Sequence, residues 1–183
     1  VEDAGPDGDF NTSGDNATFE ITFSVTVNPV NDNPTLAAIS DVTLDEDAPE
    51  HSVNLTGIFA GGGEVQPLQI SVSSSNTALI PDPSVIYTSD NSTGSIKFTP
   101  VADQFGTVVV TVMVTDGGLE GMLNTVGDNA SFTRTFTVTV NPVNDAPTID
   151  QTTAPTVAED APEQTLTLTG ITAGGDEAQP LDV

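Results

Sequence analysis

Val27-Asn28-Pro29-Val30-Asn31-Asp32-Asn33-Pro34-Thr35 and, 113 residues further on, Val140-Asn141-Pro142-Val143-Asn144-Asp145-Ala146-Pro147-Thr148 are two copies of one connector. Each follows a run in which Thr or Ser alternates with Val or Phe, Phe23–Val27 in one copy and Phe136–Val140 in the other, the spacing of a strand with one buried face. Two prolines then bracket Asn and Asp. They remove backbone donors and fix φ, so a sheet cannot run on and the path stays stiff. A strand that ends in a stiff acidic connector marks the boundary between two folded units.

The repetition reaches well beyond the connector. At the same offset residues 1–70 lie over 114–183 without a gap, and 40 of the 70 pairs are identical, including Gly14-Asp15-Asn16-Ala17 over Gly127-Asp128-Asn129-Ala130 and Glu46–Glu50 over Glu159–Glu163. This is a tandem array. Residues 35–147 make one complete repeat, 1–34 the C-terminal part of a preceding repeat and 148–183 the N-terminal part of a following one. Neither partial repeat holds enough chain to enclose a core, so further chain or a neighbouring copy is expected to complete each.

Within the complete unit, period-2 apolar runs bounded by Gly, Pro, Asn and Asp predict seven strands near 39–44, 52–58, 68–74, 84–88, 95–99, 107–115 and 131–140. Seven short strands and no helix read as an all-β Greek-key sandwich. In the sixth run Val108, Val110, Val112 and Val114 share a face, and in the seventh Phe132, Phe136, Val138 and Val140 do, so these are the expected core strands. Arg134 falls on that same parity and is expected to cover the sandwich edge while its guanidinium reaches solvent or an acid.

Charge limits the partners. Twenty-seven Asp and Glu stand against Lys97 and Arg134, a formal net charge of −25, which excludes nucleic acid and anionic membrane surfaces and favours cations. The single His51 aligns with Gln164 and there is no cysteine, so no catalytic triad or Cys-His pair can be assembled and no enzyme activity is expected. A long cysteine-free β-repeat chain suits extracellular life in which metal or packing replaces disulfides.

The acids gather at the ends of the repeat. In a Greek-key sandwich the connections near 45–51 and 100–106 meet the downstream connector, which brings Glu46, Asp47, Asp103, Asn144 and Asp145 together with Asp176 and Glu177 of the next repeat. Upstream, Asn31, Asp32 and Asn33 meet Glu64 and Asp116. Carboxylates crowded within a few ångströms repel unless a cation intervenes, and hard oxygens suit Ca²⁺, whereas Zn²⁺ would call for His or Cys. The plainer alternative is that these acids are solvated loop residues that also serve turns and caps.

The VNPVNDNP connector after its Thr-Val-Thr-Val strand, the VTVMVTDGG stretch at 110–118 and the DEDAPE stretch at 45–50 together resemble the cadherin-like and Ig-like tandem repeats of giant bacterial surface proteins and adhesins. The resemblance implies calcium at the linkers, with Asn31, Asp32, Asn33, Glu46, Asp103 and Asp116 at matching positions. Two departures stand out: Ser73-Ser74-Ser75-Asn76 replaces the cadherin Asp-x-Asp, and no Glu follows Asp103 at the expected distance. The function so implied is a structural repeat of an extracellular surface protein or adhesin, whose neighbouring repeats are its partners and whose cell-surface or matrix ligands are bound through other domains. The alternative is a filament subunit assembled by strand complementation between repeats.

Overall fold

The structure is a computed structural model describing residues 1–11, 14, 17–125, 127–175 and 177–182. Asp176, expected among the downstream acids, and Asp15 and Asn16 of the repeated loop lie outside the described residues. The chain divides into two compact units, 1–30 and 31–183. Among the described residues there is no helix, and hence none long and apolar enough to cross a membrane.

The larger unit holds seven strands in two sheets: β1 (Val42–Asp45), β2 (His51–Thr56), β3 (Leu68–Ser74), β4 (Ser84–Ile86), β5 (Thr93–Phe98), β6 (Gly106–Asp116) and β7 (Ser131–Asn141). One sheet has the order β1-β7-β6-β3 and the other β2-β5-β4. All pairings are antiparallel except β1 with β7, in which Val42 lies beside Val138 and Asp45 beside Asn141. Strands that alternate between two facing sheets in this way make an immunoglobulin-like sandwich.

The core is the one the alternation specifies. Val108, Val110, Val112 and Val114 of β6 and Phe136, Val138 and Val140 of β7 are buried against Leu55, Ile58, Leu79, Ile80, Ile96 and Phe98. The opposite face of β6 carries the exposed Val109 and Met113. The first strand starts later than the pattern predicts, and the reason is a change of sheet. Ala37 N–H bonds the Thr56 carbonyl beside β2, whereas Asp41 Oδ1 accepts from the Thr137 amide at 2.7 Å and hands the chain to β7. Arg134 is exposed, and on its way to solvent Nε donates to the Leu36 carbonyl at 3.2 Å and the guanidinium carbon sits 4.8 Å from the centre of the Phe132 ring.

In the smaller unit Glu2 bridges Thr18, after which residues 19–30 run without strand pairing. Residues 148–182 carry no named strand, and their one bridge joins Thr148 to Thr172.

Candidate functional site: the carboxylate-gripped connectors

At the upstream junction the connector is held by a line of side chains. Glu64 Oε2 accepts from the Asp32 amide at 3.2 Å and from Gln66 Nε2 at 2.8 Å, and that nitrogen also reaches Asn31 Oδ1 at 2.7 Å. Asn31 Nδ2 in turn donates to Asp116 Oδ1 at 3.2 Å and to the Asp128 carbonyl at 2.7 Å. Thr35 closes the approach, its amide on the Phe59 carbonyl and its hydroxyl on Gly57. The connector fits because residue 61 is glycine. At φ +99° a β-carbon there would collide with the Asn33 carbonyl, and chirality disfavours that backbone for any other residue.

The downstream junction repeats this frame and adds a second grip. Asp145 N–H donates to Glu177 Oε2 at 3.2 Å, as Asp32 does to Glu64, and the Thr148 amide bonds the Thr172 carbonyl, as Thr35 does Phe59. The addition comes from the complete repeat itself: Glu46, only 1% exposed, accepts the Val143 amide at 2.6 Å. Each connector thus leaves backbone N–H groups free of any sheet, and carboxylates at fixed places in the repeat take them.

Not every expected residue converges. Asn31, Asp32, Glu64 and Asp116 form one hydrogen-bonded line, and Glu46, Asp145 and Glu177 form another grip on the chain. Asn33 contributes only its backbone carbonyl beside Gly61, and Asn144 turns its amide onto the adjacent Asp145 carbonyl. Asp103, in a left-handed conformation at φ 60°, reaches the junction. A β-carbon on Gly175 would collide with Asp145 Oδ2 and stand 3.4 Å from Asp103 Oδ1. Asp47 is exposed and acts on Asp145 only through its charge.

The electrostatics is unbalanced. Desolvation first, then the charges of Asp47, Asp103, Glu177 and Glu46, push the Asp145 carboxyl above its ordinary value of 3.8. Neither of the chain's two cations answers that charge, because Lys97 pairs with Glu50 at 2.7 Å and Arg134 serves Leu36 and Phe132. Buried oxygens are left without partners at both junctions: Asp145 Oδ2 downstream, and Asp116 Oδ2 and Gln66 Oε1 upstream. Among the described residues no three His, Cys, Asp or Glu side chains group closely enough to hold a metal. Two carboxylates, those of Asp145 and Asp103, come together beside Gly175, and Asp47, Glu177 and Glu46 are near enough to act on Asp145 through their charge. Hard, partly desolvated, unpartnered oxygens are the donor chemistry of Ca²⁺, so the residues suit that ion in kind.

Four further residues take part that the sequence pattern alone does not single out. Gln66 and its counterpart Gln179 both bond the Glu that grips the connector. Asp128 and Asn129 bring oxygens beside Gly118 from the long loop between β6 and β7. Their signal was present in the repeated Gly-Asp-Asn-Ala stretch.

No protein-family profile and no curated protein matches the chain. Among solved structures it is similar to domains 4 and 5 of the S-layer protein SbsC, at 16% identity over 58% of this chain and 53% of that one, with a TM-score of 0.39. It is also similar to the tandem Ig repeats of Dlar, at 14% identity over 64% of this chain and 54% of that one, with a TM-score of 0.34. A third is the ASH/PapD-like domain of human CEP192, at 9% identity over 69% of this chain and 99% of that one, with a TM-score of 0.36. The chain spans about half the length of the SbsC and Dlar segments. The immunoglobulin-like assignment rests on the strand order itself.

Proposed function

We propose that this chain is a segment of tandem sandwich repeats in a large extracellular bacterial surface protein or adhesin, and that its connectors are joints stiffened by calcium. The observation that carries the reading is the grip on each connector: Glu64 on Asp32 upstream, and downstream Glu46 on Val143 and Glu177 on Asp145. The downstream connector is thus held by one acid before it in the chain and one after it, so the angle between successive units depends on how those acids are held.

Asp145, Asp103, Glu46 and Glu177 would hold the ion downstream, and Asp32, Glu64, Asn31 and Asp116 upstream. A bound calcium supplies positive charge that offsets the mutual repulsion of these carboxylates. Glu46 and Glu177 orient the connector backbone, and Asp145 and Asp103 present oxygens beside Gly175. The role is architectural, and no catalysis is proposed.

The test is calcium titration of the chain followed by amide chemical shifts. Val143, Asp145, Gly174 and Gly175 should move with an affinity of about 10⁻⁴–10⁻³ M, the range of extracellular modules. Asp145→Asn with Asp103→Asn should abolish the movement. Shifts that ignore calcium up to about 10 mM, well above that range, would overturn the reading.

A second reading, strand complementation into a filament, has one observation in its favour. Phe23 and Val27 are 83% and 85% exposed, whereas Phe136 and Val140, at the same places in the complete repeat, are 3% and 2% exposed. An extended segment with one apolar face can add to another sandwich's edge. Sedimentation that stays monomeric at rising concentration argues against it.

A further inference from the structure

The loop between β6 and β7 carries oxygens that the connector does not use. Asp116 closes β6 with its side chain fully buried, and its Oδ1 accepts from the Gly118 amide at 3.0 Å and the Ala130 amide at 2.9 Å, pinning both ends of the loop to one carboxylate. Asp128 Oδ2 takes the Leu119 amide at 2.8 Å, and Asn129 Nδ2 donates to the Met122 carbonyl at 3.1 Å. After those bonds are made, Asp116 Oδ2, Asp128 Oδ1 and Asn129 Oδ1 are all buried and all without a partner. The last two lie beside one residue, and Asp116 holds that residue through its other oxygen. A β-carbon on Gly118, at φ +60°, would collide with Asp128 Oδ1 and come within 3.0 Å of Asn129 Oδ1, while the Gly118 amide rests on Asp116.

Orphaned buried oxygens are costly, and three within one loop closure call for a ligand. Every one is a hard acceptor and two belong to carboxylates, a donor set that suits a cation. The repeat supplies an independent view of the same frame. In the smaller unit Asp3 stands where Asp116 does; its Oδ1 accepts from Gly5 at 3.0 Å and Ala17 at 3.1 Å, and its amide bonds the Ala17 carbonyl, just as Asp116 N–H bonds Ala130. The loop closure recurs in both units.

We infer that Asp116, Asp128 and Asn129 form a divalent-cation site of the calcium class inside the β6–β7 loop, which shares Asp116 with the upstream connector set and takes its other ligands from the loop alone. The site belongs to a single repeat and needs no neighbour, so it goes beyond the proposed joint. Its place in the structure couples it to that joint, because Asn31 of the connector bonds both Asp116 Oδ1 and the Asp128 carbonyl. A cation here orders the long loop first and presents Asp116 to Asn31 in fixed register.

Hydrogen exchange on the full chain tests this. With calcium chloride at ten times Kd, amides of residues 118–130 should exchange about eleven-fold more slowly than in chelator, the factor expected when only the closed loop binds. Asn129→Ala and Asp128→Asn should each remove that protection, while Asp103→Asn with Asp145→Asn should leave it intact and abolish only the response of the downstream connector. Magnesium at the same concentration should protect less, since it demands stricter geometry. Loop amides that ignore calcium while the connector responds would overturn this site and leave the joint standing. A loop that responds beside a silent connector would do the reverse. Should Asp128→Asn unfold the loop, Asn129→Ala read in calcium and chelator decides alone: unchanged protection sinks the site.

Discussion

Asp116→Ala should be among the most damaging single changes in the protein, and its cost can be worked from the structure. One fully buried oxygen receives Gly118 N–H at 3.0 Å, Ala130 N–H at 2.9 Å and Asn31 Nδ2 at 3.2 Å. A hydrogen bond to a charged group is worth about 1.5–3 kcal/mol, and a buried donor left alone costs about 1–3 kcal/mol. Three donors on one atom do not add, so the loss should be about 3–5 kcal/mol. That is a large share of an ordinary domain's stability of about 5–15 kcal/mol. Asp116→Asn keeps an acceptor at Oδ1 and alters only Oδ2, which has no partner, so in chelator it should cost less than about 1.5 kcal/mol. Urea unfolding followed by far-ultraviolet circular dichroism, in chelator and in calcium, measures both. The natural chain should gain about 1.4 kcal/mol in calcium at ten times Kd, and both variants should lose that gain. Equal losses for Ala and Asn in chelator would refute the reasoning, because the charge, rather than the contacts of Oδ1, would then hold the loop.

Gly61→Ala should cost about 1–3 kcal/mol and free the Asp32 amide to exchange, since its β-carbon meets the Asn33 carbonyl; Gly63→Ala, at φ +87° but facing open space, should cost only about 1–2 kcal/mol of backbone strain. Val110→Ala in the core should cost about 2–3 kcal/mol by thermal unfolding, whereas Val109→Ala on the outer face of the same strand should stay within about 0.5 kcal/mol. Tyr87 is the sole tyrosine in a chain without tryptophan, so ultraviolet absorbance follows its phenol alone. Desolvation, then the charge of Asp90, raises its pKa above the ordinary 10.0. The folded chain therefore keeps a proton that the unfolded chain loses, and stability should fall as pH rises from 10.0 through the raised value. A phenol that titrates at 10.0 in the folded state, unmoved by Asp90→Ala, would contradict this.

The sandwich was legible because alternation in β6 and β7 is long and nearly unbroken. Val108 through Val114 and Phe136 through Val140 name the buried faces of two neighbouring central strands without help from any contact. The late start of β1 was not legible, because Leu36 to Asp41 change sheets through the Ala37 and Asp41 bonds, and a change of sheet leaves no periodic trace. That acids cluster at the ends of the repeat is legible in the sequence; their bonds to the connector amides are not. Composition identifies a carboxylate as an oxygen donor; it does not say that Glu46, Glu64 and Glu177 spend theirs on connector amides. Asp128 and Asn129 were overlooked because their significance lies in atoms left over once Leu119 and Met122 have been served, a matter of geometry alone. Arg134 meets the Leu36 carbonyl, in a different segment, and the Phe132 ring two residues away, contacts that its parity in β7 does not specify.

If calcium stiffens the connectors, it should set the angle between successive repeats. Two consecutive copies of residues 35–147, joined by the natural connector, should be studied by small-angle X-ray scattering in calcium and in chelator. A longer maximum dimension and a narrower distance distribution in calcium, both lost in Asp145→Asn with Asp103→Asn, are the expected result. Scattering profiles that superimpose in calcium and chelator would contradict the account.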